Sequence, residues 1–245
     1  APRTAAHRTA AVTLVLAAGA TDPHAGELAR LLRERGATTV LVRPGDGCRQ
    51  IDPGLYEAGP DQFQHLVDQV SASAGGSAPD IDVVCCWSAP DTPGSPGELA
   101  DAARPAVERV LALVKVTAPR GGNLRLRLVT AGAQPVGSGP GTVLPALWWG
   151  LGRTLAIEHP ALDLRLLDLP LHPTTEDLAA LADDLLTADP EPYVALRTAD
   201  DMPSPAEAEG VASAGTEAAE ALASAGTGAV RAGGLRLAAR LVPAP

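Results

Sequence analysis

Residues 150–160, GLGRTLAIEHP, read as the second half of an amphipathic helix that ends at His159 and Pro160, and an apolar run, Leu164–Leu169, follows at once. Helix followed by buried strand is the repeating step of this chain. Downstream, Thr175–Leu186 has helical period behind a Thr174 or Thr175 cap, and Tyr193–Arg197 reads as a core strand. Upstream, the helix begins at Thr142, and Val12–Ala17, Thr38–Val42, Ile81–Cys86 and Leu124–Thr130 read as further strands. Helical patterns lie between them at Gly26–Arg35, stopped by Gly36, at Asp61–Val70, and at Glu98–Val116, where Pro105 should kink or restart the helix. The stretch 43–60, with Pro44, Gly45, Gly47, Pro53, Gly54 and Pro60, reads as loop. The alternation predicts an α/β fold with a doubly wound, mostly parallel sheet.

The chain has 245 residues and is 46% hydrophobic, enough to bury a sizeable core. Residues 12–198 are expected to form that unit, behind a flexible segment 1–11. The tract 199–230 is rich in Ala, Glu, Gly and Ser with almost nothing large to bury, and is expected to be disordered. Residues 231–245 are expected to supply a last strand, Leu235–Val242, pairing with Tyr193–Arg197, and then the start of a linker at Pro243. Net charge is -10 without a basic stripe, which argues against nucleic-acid binding. No apolar run is long enough to cross a bilayer and no leader precedes Val12, so no membrane association and a cytoplasmic location are expected. Cys85 and Cys86 are adjacent on a strand and point to opposite faces, so they do not pair readily with each other. His7, His24, His65, His159 and His172 are scattered, with no metal-ligand spacing.

The stretch Trp148–Pro170, WWGLGRTLAIEHPALDLRLLDLP, closely resembles the structural half of ketoreductase regions in modular type I polyketide synthases. Gly150, Leu151, Gly152, Arg153, Glu158, His159 and Pro160 form the signature, and YVALR at 193–197 with GLRLAARLV at 234–242 resembles the end of that half. The resemblance implies a truncated Rossmann-like domain of the short-chain-dehydrogenase type, completed by a C-terminal strand pair. It also implies a non-catalytic subdomain that binds no cofactor. Such a half stabilises and orients a second, catalytic half, which binds NADPH and reduces the β-keto group of a carrier-bound polyketide. Partners would then be the catalytic half, an enoylreductase or dehydratase domain of the same polypeptide and, indirectly, the acyl carrier protein. The long 199–230 tract departs from the tight turn usual in this family.

Against the pattern of active short-chain dehydrogenases, the catalytic residues are missing. Gly141 stands where the tyrosine of Tyr-x-x-x-Lys belongs and Pro145 where the lysine belongs. Reduction of a carbonyl needs a phenol whose pKa is lowered by a nearby ammonium; the single lysine, Lys115, follows no tyrosine at that spacing. After the first strand, Gly19 fits the first glycine of the cofactor turn, but Pro23 and Ala25 replace the others and Asp22 adds an anion where a phosphate would sit. Trp87 follows Asp82–Cys86 at the place of the family's Asn-Asn-Ala-Gly turn, and Thr130 stands at the serine position. Glu158 is readable as an acid catalyst, or as a partner of an arginine, and His159 as a helix-end residue. The glycines at 137–141 could form an anion nest or a flexible connection. No catalytic, cofactor-binding or metal-binding residues are therefore assigned.

The resemblance places the helices 98–116 and 142–158 at an interface between the two halves. Val107, Val110, Leu111 and Val114 on the first, and Leu147, Trp148, Trp149, Leu151, Gly152 and Arg153 on the second, are the candidate contacts. The second helix carries apolar stripes on two sides, more than one face against a sheet requires. The other account of those stripes is that both are core. Two alternative functions stay open: a pseudo-ketoreductase scaffold supporting neighbouring dehydratase, methyltransferase, enoylreductase or carrier domains, and a self-standing enzyme using Thr130.

Overall fold

The computed structural model describes residues 11–74, 79–86, 96–134, 142–187 and 191–197, with 235–238 as backbone. The expectations for 1–10, Trp87, 137–141, 199–230, the end of the Leu235–Val242 strand beyond Ala238, and the linker at 243–245 lie outside the described residues. Among the described residues nine strands, numbered in chain order, form one sheet in the order β3-β4-β2-β1-β5-β6-β7-β8-β9, with β3 (Cys48–Asp52) and β4 (Leu55–Ala58) at one edge and β9 (Leu235–Ala238) at the other. The inner strands are parallel: β1 (Val12–Leu16), β2 (Thr39–Pro44), β5 (Ile81–Cys86), β6 (Leu124–Ala131), β7 (Asp163–Leu169) and β8 (Tyr193–Arg197). β1 pairs with both β2 and β5, so the chain reverses its direction of winding there, the position at which such sheets open a crevice. The last strand, β9 (Leu235–Ala238), pairs antiparallel with β8.

Helices cover both faces. α2 (Phe63–Ser73), α3 (Pro96–Thr117) and α4 (Val143–Glu158) pack on one face around Phe63, Val110, Leu126, Trp148 and Leu166. α1 (Pro23–Glu34) and α5 (Thr175–Leu186) pack on the other around Leu28, Leu32, Leu167, Leu181 and Val194. Cys85 belongs to the first cluster and Cys86 to the second, as alternation along a strand requires. α1 ends in a Schellman motif: Gly36, at φ 85°, donates to the Arg33 carbonyl (2.9 Å) and Ala37 to that of Leu32 (3.0 Å). α5 starts with a capping box between Thr174 and Asp177.

Two expectations are corrected. The stretch 43–60 is not loop: it contains an antiparallel hairpin, β3 (Cys48–Asp52) and β4 (Leu55–Ala58), whose second strand runs parallel to β2. β3 is an edge strand exposed beyond Cys48, so it needs no apolar run, and Gly54 supplies the positive φ of the turn. Pro105 does not restart the helix: α3 is continuous from Pro96 to Thr117. Pro105 and Asp101, whose carbonyl loses its helical donor, both lie on the exposed side, where water can replace the missing bond.

Candidate functional site

Among the described residues, the turn after β1 is held by the chain's own groups. Asp22 caps α1: its Oδ1 accepts from the backbone N–H of His24 (3.0 Å) and Ala25 (3.1 Å), and its Oδ2 from that of Ala18 (3.0 Å). Pro23 occupies the first helical position and has no N–H to offer. A pyrophosphate at this helix start would need those donors and would meet a carboxylate already holding them. From the other side, Arg109 donates to the carbonyls of Ala17 (2.8 Å) and Ala18 (3.4 Å), and burial lowers its pKa. One small cavity, between Ala17, Arg43, Phe63 and Arg109, measures about 160 Å³. That is below the roughly 300 Å³ at which small-molecule pockets begin. Among the described residues, three backbone N–H groups at the start of α1 are thus taken by Asp22.

The carboxyl ends of β6, β7 and β8 hold a second closed arrangement. Trp149 Nε1 donates to Thr130 Oγ1 (3.0 Å), which donates to Asp168 Oδ1 (2.7 Å). Asp168 also accepts from the N–H groups of Ala133 (2.8 Å) and Gln134 (3.0 Å) and from Arg197 Nη2 (2.6 Å). Arg197 further donates to the carbonyls of Asp168, Leu196 and Gln134. Thr130, Trp149, Asp168 and Arg197 are all buried. The Thr130 hydroxyl is thus committed as donor and acceptor, and Pro145 is buried one turn before Trp149. Asp168 and Arg197 were not singled out by sequence; the signal available was a charge inside each of two apolar strands, LLDL and VALR.

Burial pushes the thiols of Cys85 and Cys86 up, Cys86 with help from Asp22. Burial also raises the Asp82 carboxyl, against the pull of Arg127 and Arg125. Groups of three or more metal-ligating side chains are absent among the described residues, and no helix among them is long and apolar enough to cross a membrane. His159 is the C-cap of α4, its N–H bonded to the Leu155 carbonyl (2.8 Å). Glu158 is exposed, and among the described residues it has none of the arginine partners expected of it.

The candidate interface residues divide. Val110, Val114, Trp148, Trp149 and Gly152 are buried in this chain's own core, which corrects their assignment to a partner-facing surface. A Cβ on Gly152 would come within 2.5 Å of Leu166 Cδ2, so this glycine lets α4 approach β7, not a second helix. Val107, Leu151 and Arg153 are half-buried, and Leu111 and Leu147 are 41% and 43% exposed. Val143 at 68% and Ile157 at 80% join them on the outside, a pair that apolar period alone did not single out. A Cβ on Gly150 would meet nothing within 4 Å, and Pro160 is exposed.

Comparison with known proteins agrees with this architecture. The family model for the Rossmann fold domain of polyketide synthase extender module SpnB matches residues 27–204. Pikromycin polyketide synthase component PikAIII of Streptomyces venezuelae is 43% identical over 72 residues, 29% of this chain and 5% of that protein. Polyketide synthase GfsA of Streptomyces halstedii is 35% identical over 147 residues, 54% of this chain and 2% of that protein. The chain spans a small part of these curated relatives. A C2-type ketoreductase from a modular polyketide synthase superposes with a TM-score of 0.55 at 25% identity, covering 78% of this chain and 38% of that one. A keto acid-selecting NRPS module with adenylation, ketoreductase and pseudo Asub domains shares the fold, with a TM-score of 0.59 at 17% identity over 80% of this chain and 16% of that one. With the match running through both crossover layers of the sheet, the chain belongs to the family of the SpnB extender-module Rossmann fold domain and is a ketoreductase-like region of a polyketide synthase.

Proposed function

We propose that this chain is the non-catalytic, structural half of a polyketide synthase ketoreductase. In this reading it binds no NADPH itself. It stabilises and orients a catalytic half of the same polypeptide, which binds the cofactor and reduces the β-keto group of a carrier-bound polyketide. The observation that carries the reading is the turn after β1, where Asp22 takes the N–H groups that a dinucleotide phosphate would require. The buried set Thr130, Trp149, Asp168 and Arg197 supports it, since a group locked on both sides cannot exchange protons with a substrate.

The surface offered to the catalytic half is the outward side of α4 with Leu111 of α3. Val143, Leu147, Gly150, Thr154 and Ile157 recur at helical spacing, and all are exposed. Large apolar side chains on one exposed helix face mark a contact surface more often than isolated ones do. Amide hydrogen exchange over 143–158, compared between this chain alone and the intact native polypeptide, tests the reading. Slower exchange in the intact polypeptide is expected. Equal exchange in both would contradict the docking role.

A further inference from the structure

Arg153 is a half-buried signature side chain without an ion pair among the described residues. Its guanidinium lies over the rings of Trp149 (5.8 Å) and Tyr193 (5.4 Å), which are themselves in tilted contact at 6.2 Å. Its Nε is buried without a hydrogen bond, and among the described residues it has no ion pair. The other buried arginines are treated differently. Arg127, Arg165 and Arg197 hold Asp163, Asp184 and Asp168 at 2.9, 2.8 and 2.6 Å. A buried guanidinium N–H left unpaired costs free energy, and two aromatic faces offset only part of that. The rings do fix the guanidinium plane, so its fork is ordered before any partner arrives.

Arg153 stands one helical turn from both Gly150 and Ile157, at the margin of the exposed apolar face. Resting on the docking role proposed above, we infer that Arg153 receives a carboxylate side chain of the catalytic half and fixes the register of the two halves. Charge complementarity selects this occupant: a half-buried planar cation with no ion pair among the described residues, at the edge of an apolar contact, matches an aspartate or glutamate. Gly150, with open space around it, lets the partner's backbone come close enough for a short acidic side chain to reach.

The test uses amide exchange over 143–158 in the intact native polypeptide, at low and high salt, for Arg153→Gln, Arg153→Lys and Ile157→Asp. We expect Arg153→Gln to speed exchange about tenfold, in keeping with the range of interfacial charge pairs, and to remove its salt dependence. Arg153→Lys should keep part of the protection. The same Arg153→Gln in this chain alone should leave exchange within about twofold of the parent. If Ile157→Asp exposes the segment and Arg153→Gln does not, the carboxylate contact is wrong while the docking role stands. If Arg153→Gln acts equally in the chain alone, Arg153 serves only the Trp149 and Tyr193 packing and the inference is overturned. If neither substitution changes exchange in the intact polypeptide, the docking role itself has failed.

Discussion

Asp168 illustrates what single residues decide here. It accepts from Thr130, Ala133, Gln134 and Arg197, and so ties the end of β6 to β7 and β8. Asp168→Ala strands the Arg197 guanidinium in the core, a change that typically costs about 3–5 kcal/mol. In thermal unfolding that should appear as a fall of roughly 6–20 °C; a fall of one or two degrees would mean the network holds little. Two glycines make a matched pair. Gly152→Ala drives a methyl against Leu166 and should destabilise by about 1–3 kcal/mol. Gly150→Ala meets open space and should be neutral or stabilise by up to about 1 kcal/mol, as measured in denaturant. The thiols predict a pH response. Cys85 and Cys86 are raised above 9.0 when folded. The folded state therefore holds protons that the unfolded chain gives up, and stability falls as pH rises past that value. The slope should be about 1.4 kcal/mol per pH unit for each thiol, and Cys85→Ala should remove its share.

At the scale of elements, apolar period made most of the sheet legible. Ile81–Cys86 and Tyr193–Arg197 are strands with no exposed face, each mostly apolar, and such runs declare themselves. The β3–β4 hairpin did not, because an exposed edge strand follows no burial pattern and its turn residues resemble those of any loop. In α4 the period showed two apolar sides but not which one is core. Trp148 and Trp149 face the sheet and the buried network, while Val143, Leu147 and Ile157 face outward. Trp149→Asp should therefore unfold this chain by itself, seen as loss of the cooperative thermal transition. Leu147→Asp should leave that transition within a few degrees. The reverse ranking would return the tryptophans to the surface.

At the scale of the whole molecule, the described residues keep the sheet order of a nucleotide-binding fold and commit the groups after β1 to one another. Helices close both faces, Asp22 and Arg109 close the turn after β1, and the carboxyl ends of β6 to β8 are locked by Asp168 and Arg197. Asp22 and Pro23 were readable in sequence as misfits to a phosphate turn. The Asp168–Arg197 pair was not, since residues separated by 29 positions meet only once β7 and β8 lie side by side. Titration of the folded chain with NADPH, followed by calorimetry, tests this account most directly. No saturable binding up to millimolar cofactor is the predicted result. A micromolar dissociation constant would contradict it, because the turn at Asp22 would then have to open for a phosphate.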